Sequence, residues 1–275
     1  MRRILSALVL VPLVVYSVLF GPAYLLVALL MLATAVGLWE ALRLLRAITS
    51  PSAGFSAVEL AAYPLGLALA LGLSIMELSV PDPRLLIPAV ACPIALAAIS
   101  VVAFSRFREV SWFTPVPAAL IVVFYVAVPL GLLVWVWRQP DGPFHLLFAL
   151  IVVWAGDTAG YCAGKYLGKH KSSPRISPNK TWEGTAASLG AALLVGAVAA
   201  IWYWDGNNFS EPVTLAALLN VAGQFGDLAE SGLKRRAGVK DSSGLIPGHG
   251  GVLDRIDALL FAAPVLWYYW LWKLS

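Results

Sequence analysis

Charged side chains are scarce in this chain. Only 12% of its 275 residues are Asp, Glu, Lys or Arg, whereas 60% are hydrophobic, and the mean hydropathy is +0.82. A soluble domain of this length carries about 25% charged residues. So little polar surface could not cover so much apolar chain in water, which argues against a soluble globular fold. Because apolar runs of about 20 residues recur along the chain, we expect an all-α, polytopic integral membrane protein.

The chain also has few cysteines and lacks several common functional motifs. Cys92 and Cys162 lie in separate apolar runs without a CxxC spacing. This pattern indicates neither a disulfide framework nor a zinc site, and we expect two small buried hydrophobic residues. The sequence has no Walker A loop and no Ser-His-Asp or Cys-His constellation. It also has no basic, aromatic-interleaved patch outside the apolar runs, so nucleic acid is not an expected partner.

What the chain does contain is a series of apolar segments. The first begins after Arg2 and Arg3 and has no small-residue cleavage site before Gly21, so we interpret it as a retained membrane helix and not as a signal peptide. The sequence predicts about nine transmembrane helices. They cover roughly 4–20, 23–42, 57–76, 85–104, 116–137, 144–163, 184–204, 213–230 and 258–272.

The distribution of Lys and Arg between the connections predicts the orientation. Threading nine spans from a cytoplasmic N-terminus places 16 of the 19 cations on the cytoplasmic side and leaves Arg84, Arg138 and Lys273 outside. Because cytoplasmic loops are enriched in Lys and Arg, we expect a cytoplasmic N-terminus and an external C-terminus, in a bacterial-type inner (plasma) membrane. Two long charged loops, 164–183 and 231–257, then face the cytoplasm together, beside anionic lipid headgroups.

These loops divide the chain into two regions. Residues 1–140 are predicted to form an N-terminal multi-span region that serves as a scaffold, a lipid groove or a dimer contact. Residues 141–275 carry both charged loops and are predicted to form a catalytic membrane region.

The densest charge lies in 231–257, which reads SGLKRRAGVKDSSGLIPGHGGVLDRID. Just before it, Asp227 directly follows an apolar run. With Glu230 or Ser231, and with Lys234, it has the spacing of one polar stripe on a helix. Ionisable groups at a membrane boundary are costly and tend to be functional. The ordinary alternative is an Asp227–Lys234 pair that ends the helix.

A second group of acids lies in the same segment. The glycines of PGHGG at 247–251 let backbone amides approach a ligand closely, and Asp254 and Asp257 follow at the entrance of the last predicted helix. The ordinary alternative for these acids is a favourable charge at a helix N-terminus. With Asp227 nearby, the three carboxylates could hold a hard cation such as Mg²⁺, which with basic side chains would hold phosphates. His249 is predicted to donate a hydrogen bond to phosphate, with a general-base role as the alternative.

The sixth apolar segment and the loop after it supply matching groups. Asp157 lies well inside the apolar run, where an unpaired carboxylate is expensive. Lys180, in SPNKTWEG, lies at a predicted helix start beside Trp182 and Glu183. Together these groups predict phosphoryl or nucleotidyl chemistry on a lipid at the cytoplasmic face. A seam of small residues for close helix packing is predicted at Gly156, Gly160, Gly164 and Gly168.

These motifs resemble the signature of the phosphatidate cytidylyltransferases, also called CDP-diacylglycerol synthases. That signature is S-x-x-K-R-x-x-x-x-K-D, a short spacer, then P-x-H-G-G-x-x-D-R-x-D. The stretches GDTAGYCAGKYLGKH, SPNKTWEG and GDLAES resemble the family's upstream motifs, with Asn179 as a departure where the family has Lys. The motifs that carry the resemblance lie within about 155–265. The residues that fit the signature are Ser231, Lys234, Arg235, Lys240, Asp241, Pro247, His249, Gly250, Gly251, Asp254, Arg255 and Asp257.

The resemblance implies a reaction, in which CTP and phosphatidate give CDP-diacylglycerol and pyrophosphate with the help of Mg²⁺. A second cation is a further candidate. The phosphatidate phosphate is already an anionic nucleophile and would attack the α-phosphorus of CTP in line. Catalysis would therefore consist mostly of positioning and charge neutralisation. A homodimer is expected by analogy with the family.

On this hypothesis, Asp227 and Asp254 bind the metal ion, with Asp257 as a third ligand or a support and Asp157 as a further candidate. Ser177 and Lys180 would contact the lipid phosphate or the triphosphate tail. Asp241 would orient Lys240 or the nucleotide, and Arg255 is a further catalytic candidate. The groups expected to bind and neutralise phosphates are Lys234, Arg235, Lys240, Ser231, His249 and the backbone of Gly250 and Gly251.

Three alternatives remain. A CDP-alcohol phosphotransferase would need DG and AR followed by two widely spaced aspartates, a pattern that Asp141-Gly142 and Asp205-Gly206 lack. A cytidylyltransferase for another lipid phosphate, such as an archaeal ether lipid, would carry a similar signature. A membrane transporter would have intramembrane charges spread over several helices and an internal repeat, whereas here the ionisable groups cluster in the last third of the chain.

Overall fold

The computed structural model describes residues 2–49, 57–75, 115–204, 208–246, 248 and 250–274. This part of the chain forms helices joined by short connections, with one small antiparallel hairpin. The helices are α1 (Arg2–Leu19), α2 (Ala23–Thr49), α3 (Ala57–Ile75), α4 (Pro115–Trp137), α5 (Gly142–Tyr166), α6 (Trp182–Trp202), α7 (Ser210–Arg236) and α8 (Leu253–Leu274). The strands are β1 (Lys171–Ser173) and β2 (Ser177–Thr181), which pair Lys171 with Thr181 and Ser173 with Ser177.

The prediction of an all-α membrane protein is confirmed in its coarse form. Helices α2 to α6 are each long and apolar enough to cross a membrane. Eight of the predicted apolar segments coincide with a helix. The segment 85–104 lies outside the described residues, so the count of nine stays a prediction.

The two charged loops are shorter than predicted. The loop 164–183 loses its ends to α5 and α6, and its middle is the β1–β2 hairpin. The loop 231–257 is helical at both ends, because α7 continues to Arg236 and α8 begins at Leu253. What connects them is residues 237–252, called here the α7–α8 loop. Sequence patterning missed these helical turns because charged residues extend a helix as well as apolar ones do.

Helix α4 lies in the core of the bundle. All of its residues from Tyr125 to Val136 are buried, and it contacts α2, α3 and α8. A helix that is apolar on every face is typical of such a central position. The N-terminal helices and the last helix therefore share one core.

The predicted glycine seam is confirmed where α5 packs antiparallel on α6. A Cβ added at Gly184 of α6 would lie 2.7 Å from the Gly160 carbonyl oxygen, and one at Gly164 would lie 3.3 Å from the Thr181 hydroxyl. Any side chain at these positions would push the helices apart, which is why small residues occupy such interfaces. Cys162, on the same helix, is exposed, contrary to the expectation of a buried residue.

One end of the bundle is held by polar contacts among aromatic side chains. The Tyr269 hydroxyl donates to Glu211 Oε1 at 2.5 Å, and Trp204 Nε1 donates to the same oxygen at 3.2 Å. The buried His145 ring lies 4.9 Å from the Trp270 ring, centroid to centroid. The starts of α5 and α7 thus meet the ends of α6 and α8. Helices that cross a membrane in alternating directions, as the sequence predicts, would have this arrangement. The charged segments lie at the opposite end.

Candidate active site

Helix α7 carries the predicted polar stripe. Asp227, Glu230 or Ser231, and Lys234 lie on successive turns of it, and the Ser231 hydroxyl donates to Asp227 Oδ1 at 3.2 Å. Glu230, Ser231 and Lys234 are buried, whereas the Asp227 side chain is 38% exposed. The stripe therefore runs from a buried part of the bundle to an accessible one.

The β1–β2 hairpin brings Lys180 to this stripe. Lys180 Nζ lies 2.7 Å from Asp227 Oδ2 and 3.4 Å from the Gln224 carbonyl oxygen. Lys180 is held there because the next residue, Thr181, caps α6 by accepting a hydrogen bond from Gly184 N at 3.1 Å. The ion pair joins the two charged motifs, which lie 47 residues apart in sequence.

A close approach of α7 and α8 places a second carboxylate beside Asp227. A Cβ at Gly223 would lie 3.4 Å from Ala258 Cβ, and one at Gly226 would collide with the Asp257 carbonyl oxygen. Asp157 lies on α5 and Asp257 on α8, and both helices contact α7, which carries Asp227. Asp257 Oδ1 accepts a hydrogen bond from Ala258 N at 2.8 Å. Asp157, Asp227 and Asp257 therefore come from three helices that pack together, whereas Asp254, the third acid of the predicted trio, has its own partners.

Lys234 has a different partner from the one considered in the sequence. Its ammonium group forms ion pairs with both Glu230 and Asp254. The side chains of Lys234, Glu230 and Asp254 are 11%, 0% and 5% exposed, respectively. Because a buried charge needs such partners, this triad joins α7 to α8. The alternative of an Asp227–Lys234 pair is wrong, since Asp227 pairs with Lys180. The role of Glu230 was missed because spacing does not show which partner a lysine chooses.

Asp254 organises the α7–α8 loop. Besides Lys234, it accepts hydrogen bonds from Gly251 N at 2.7 Å and from Ser242 N and Oγ, both at 2.9 Å. Gly250 has a φ of +79°, a conformation that glycine adopts at little cost. The Gly251 amide is therefore engaged within the loop, and Asp254 pairs with Lys234.

Glu40, on α2, is the largest omission of the sequence analysis. This carboxylate is fully buried and accepts four hydrogen bonds from the α7–α8 loop and the start of α8. Its partners are more than 200 residues away in sequence. The available signal was a lone acid within a long apolar run.

A buried chain of polar side chains was also missed. Asn220 of α7 donates to the Ser188 hydroxyl at 2.9 Å and accepts from Gln224 Nε2 at 2.6 Å. The Gln224 carbonyl is in turn a neighbour of Lys180. These hydrogen bonds link α6 to α7 next to the Lys180–Asp227 pair.

The remaining predicted residues lie around this centre. Arg235, Lys240, Asp241 and Arg255 are exposed, and Ser177 and Gly250 are half-buried. Arg235 Nη1 donates to the Val239 carbonyl at 3.2 Å. Pro247 and His249 lie outside the described residues. Within the described ranges, no three acids, histidines or cysteines lie close enough to hold a metal ion as they stand, so the metal assignments remain predictions.

Comparison with known proteins decides the family. The sequence model of the Cytidylyltransferase family matches residues 1–272. This chain belongs to the Cytidylyltransferase family. The resemblance predicted from the signature is thereby confirmed, and the match extends over the N-terminal helices as well.

Several similar proteins from staphylococci carry the name phosphatidate cytidylyltransferase. The chain is 39% identical over 178 residues to the one from Staphylococcus haemolyticus, covering 64% of this chain and 66% of the relative. It is 41% identical over 155 residues to the one from Staphylococcus aureus strain COL, covering 56% and 59%. It is 40% identical over 154 residues to the one from Staphylococcus saprophyticus, also covering 56% and 59%. The aligned part thus spans less than two thirds of each relative.

Proposed function

We propose that this chain transfers the cytidylyl group of CTP to phosphatidate and releases pyrophosphate, which makes it a phosphatidate cytidylyltransferase of phospholipid biosynthesis. The observation that carries the proposal is the Lys180–Asp227 ion pair, which joins the two charged motifs at one end of the bundle. Family membership and the name of the staphylococcal relatives support it.

The proposed chemistry needs little from a general base. An oxygen of the phosphatidate phosphate forms a bond to the α-phosphorus of CTP, and the bond from that phosphorus to the bridging oxygen breaks, so that pyrophosphate leaves with its electron pair. The obstacle is the repulsion between two polyanions, which fixed cations reduce. Arg235, Lys240 and Arg255 are exposed and Lys180 is partly exposed, and these four cations are proposed to hold the phosphates.

Lys234 is less suited to that role than the sequence suggested. Its ammonium group already lies between two carboxylates and is almost fully buried. We therefore propose that it holds α7 and α8 in register and acts on phosphate only through that arrangement.

The acids around Asp227 fit a Mg²⁺ ion in their donor chemistry. Carboxylate oxygens are the ligands that this ion prefers, and Asp157, Asp227 and Asp257 come from α5, α7 and α8, three helices that contact one another. Asp254 fits less well, because both of its oxygens already accept hydrogen bonds. When bound, Mg²⁺ would neutralise charge on the triphosphate. Asp157, Asp227 and Asp257 are the residues proposed to hold it, with a second cation as a further proposal.

A transfer assay tests the function. The purified protein in detergent is incubated with radiolabelled CTP, phosphatidate and Mg²⁺, and label is followed into the organic phase. We expect label from CTP and not from ATP, and a loss of about 100-fold or more in Asp227→Asn and Lys180→Met. Asp141→Asn is the matched control, because Asp141 lies at the opposite end of the bundle and Asn tolerates its left-handed backbone, with a φ of 57°.

The outcomes separate the remaining alternatives. Label that appears only with a different lipid phosphate would favour a cytidylyltransferase for that lipid. No label with any lipid phosphate, from a folded preparation, would refute the proposal. Wild-type rates in both Asp227→Asn and Lys180→Met would refute the proposed site, whereas the proposed reaction would still stand.

The proposal also includes the cytoplasmic orientation of the site and a homodimer. The bias of Lys and Arg towards one side supports the orientation. Leu245 is an exposed residue of the α7–α8 loop, and in a background without Cys92 and Cys162 the variant Leu245→Cys should react with a membrane-impermeant maleimide only from the cytoplasmic side. The mass of the detergent-purified protein tests the dimer.

A further inference from the structure

Glu40 joins the N-terminal helices to the α7–α8 loop. Its Oε1 accepts hydrogen bonds from the Ser243 hydroxyl at 2.5 Å and from Val252 N at 3.1 Å. Its Oε2 accepts from the Ser242 hydroxyl at 3.0 Å and from Leu253 N at 2.6 Å. The residue has no exposed surface. It therefore holds the loop at two places. Two serines bind it in the middle of the loop, and two backbone amides bind it where the loop meets α8.

The environment of Glu40 supplies the hydrogen-bond donors that a buried carboxylate needs. A buried charge is costly unless it is hydrogen-bonded, and bonds to a charged acceptor are about twice as strong as neutral ones. Two of the donors are the backbone amides of Val252 and Leu253 at the start of α8, where the helix itself offers no acceptor. The positive end of the helix dipole there also favours a negative charge. Glu40 thus caps α8 from a different helix.

Glu40 is also coupled to the proposed active site. The single proton of the Ser242 hydroxyl is shared between Glu40 Oε2, at 3.0 Å, and Asp254 Oδ2, at 2.9 Å, and Asp254 binds Lys234 of α7. A side chain at Gly251 would collide with Glu40 Oε1, so the glycine is needed where the loop passes the carboxylate. A shift of Glu40 would therefore move the groups that hold α7 and α8 in register.

We propose that Glu40 is a positioning residue, which sets the conformation of the α7–α8 loop and so of the active site. The part of the inference that concerns turnover rests on the proposed function. The part that concerns the loop rests on the four hydrogen bonds alone. On this view the N-terminal region is more than a scaffold in the membrane, because α2 supplies the anchor of a catalytic loop.

The substitution Glu40→Gln tests the anchor with little change of shape. One carboxylate oxygen becomes an NH₂ group, which cannot accept. Each oxygen of Glu40 serves one hydroxyl and one amide, and a serine hydroxyl can rotate to accept, but a backbone N–H cannot. In either orientation of the glutamine, Val252 N or Leu253 N therefore loses its acceptor.

Hydrogen exchange of the full-length protein in detergent, followed by mass spectrometry, measures this loss directly. In Glu40→Gln we expect exchange in 239–253 to rise about 10- to 100-fold, the range for a lost hydrogen bond to a charged group. Exchange in α5 and α6 should stay unchanged. Glu59→Gln is the matched control, because Glu59 is also a buried glutamate of the N-terminal helices. If Glu40→Gln does not fold, Ser243→Ala removes one donor and should raise exchange in the same segment by about tenfold.

Exchange and turnover together decide the proposal. Faster exchange confined to the loop, with kcat of the transfer reaction reduced about tenfold or more, would support it. Unchanged exchange in the loop would overturn the anchor, whatever the activity. Faster exchange with wild-type turnover would overturn the positioning role. If the wild-type protein transfers no cytidylyl group, the proposed function fails, and the exchange data still decide whether Glu40 holds the loop.

Discussion

The buried Lys234 triad leads to a quantitative prediction about stability. Substitution of Lys234 by Met keeps much of the side-chain volume and removes the ammonium group that Glu230 and Asp254 share. Glu230 has no exposed side-chain surface and Asp254 has 5%, so neither carboxylate gains water in place of the lost partner. Breaking a buried ion pair by removing one member costs about 3–5 kcal/mol.

The predicted loss corresponds to a large shift in melting temperature. For chains of about 150–250 residues, 1 kcal/mol changes Tm by about 2–4 °C, so Lys234→Met should lower Tm by about 6–20 °C. The 11 tryptophans allow unfolding in detergent to be followed by intrinsic fluorescence. Arg235→Met is the matched control, because Arg235 is the adjacent cation but is exposed, and surface substitutions change stability by about 0.5 kcal/mol or less.

A second substitution tests the cause of the loss. Glu230→Gln added to Lys234→Met removes the buried charge that was left without a partner, so it should recover part of the Tm. A Tm of Lys234→Met within about 2 °C of wild type would show that the ammonium group does not hold the two helices. Such a result would return Lys234 to the phosphate-binding role predicted from the sequence.

Three further predictions concern the packing and the buried polar contacts. Gly184→Ala should cost about 1–3 kcal/mol by forcing α6 away from the α5 backbone, whereas Gly190→Ala, with nothing within 4 Å of the added Cβ, should stabilise the helix or leave its Tm unchanged. Equal melting temperatures for the two variants would contradict the seam. Asn220→Leu should lower Tm because it strips the buried polar chain of its central member, at a cost of about 1–3 kcal/mol. A Tm no lower than wild type would refute this. Tyr269→Phe removes a donor to Glu211 at the opposite end of the bundle and should lower Tm without changing KM for CTP; a raised KM would contradict the separation of the two ends.

The charged motifs show how far a local pattern can predict a site. The spacing of Asp227, Ser231 and Lys234 predicted one helical stripe, and α7 has it. The position of Lys180 before a helix start was also predicted, and α6 begins two residues later. These features depend on neighbours within a turn or two of helix, so they can be read from the sequence.

The choice of partners could not be predicted in the same way. Lys234 had Asp227 and Glu230 within reach on its own helix, and the structure pairs it with Glu230 and with Asp254 of α8. Asp227 pairs instead with Lys180, from a hairpin that had been predicted as part of a loop. These pairings depend on how closely neighbouring helices approach each other at glycines. The spacing of residues along one helix does not give that distance.

Apolar length, scarcity of charge and a dense motif can be read from the amino-acid sequence alone, and they were enough to predict a helical membrane protein of the Cytidylyltransferase family. Which charges meet depends on how the helices pack. Glu40 shows the reason most clearly, since its four donors lie more than 200 residues away and reach it only when α2 packs beside the start of α8. A buried carboxylate needs partners, but only the packing of the helices determines where they come from.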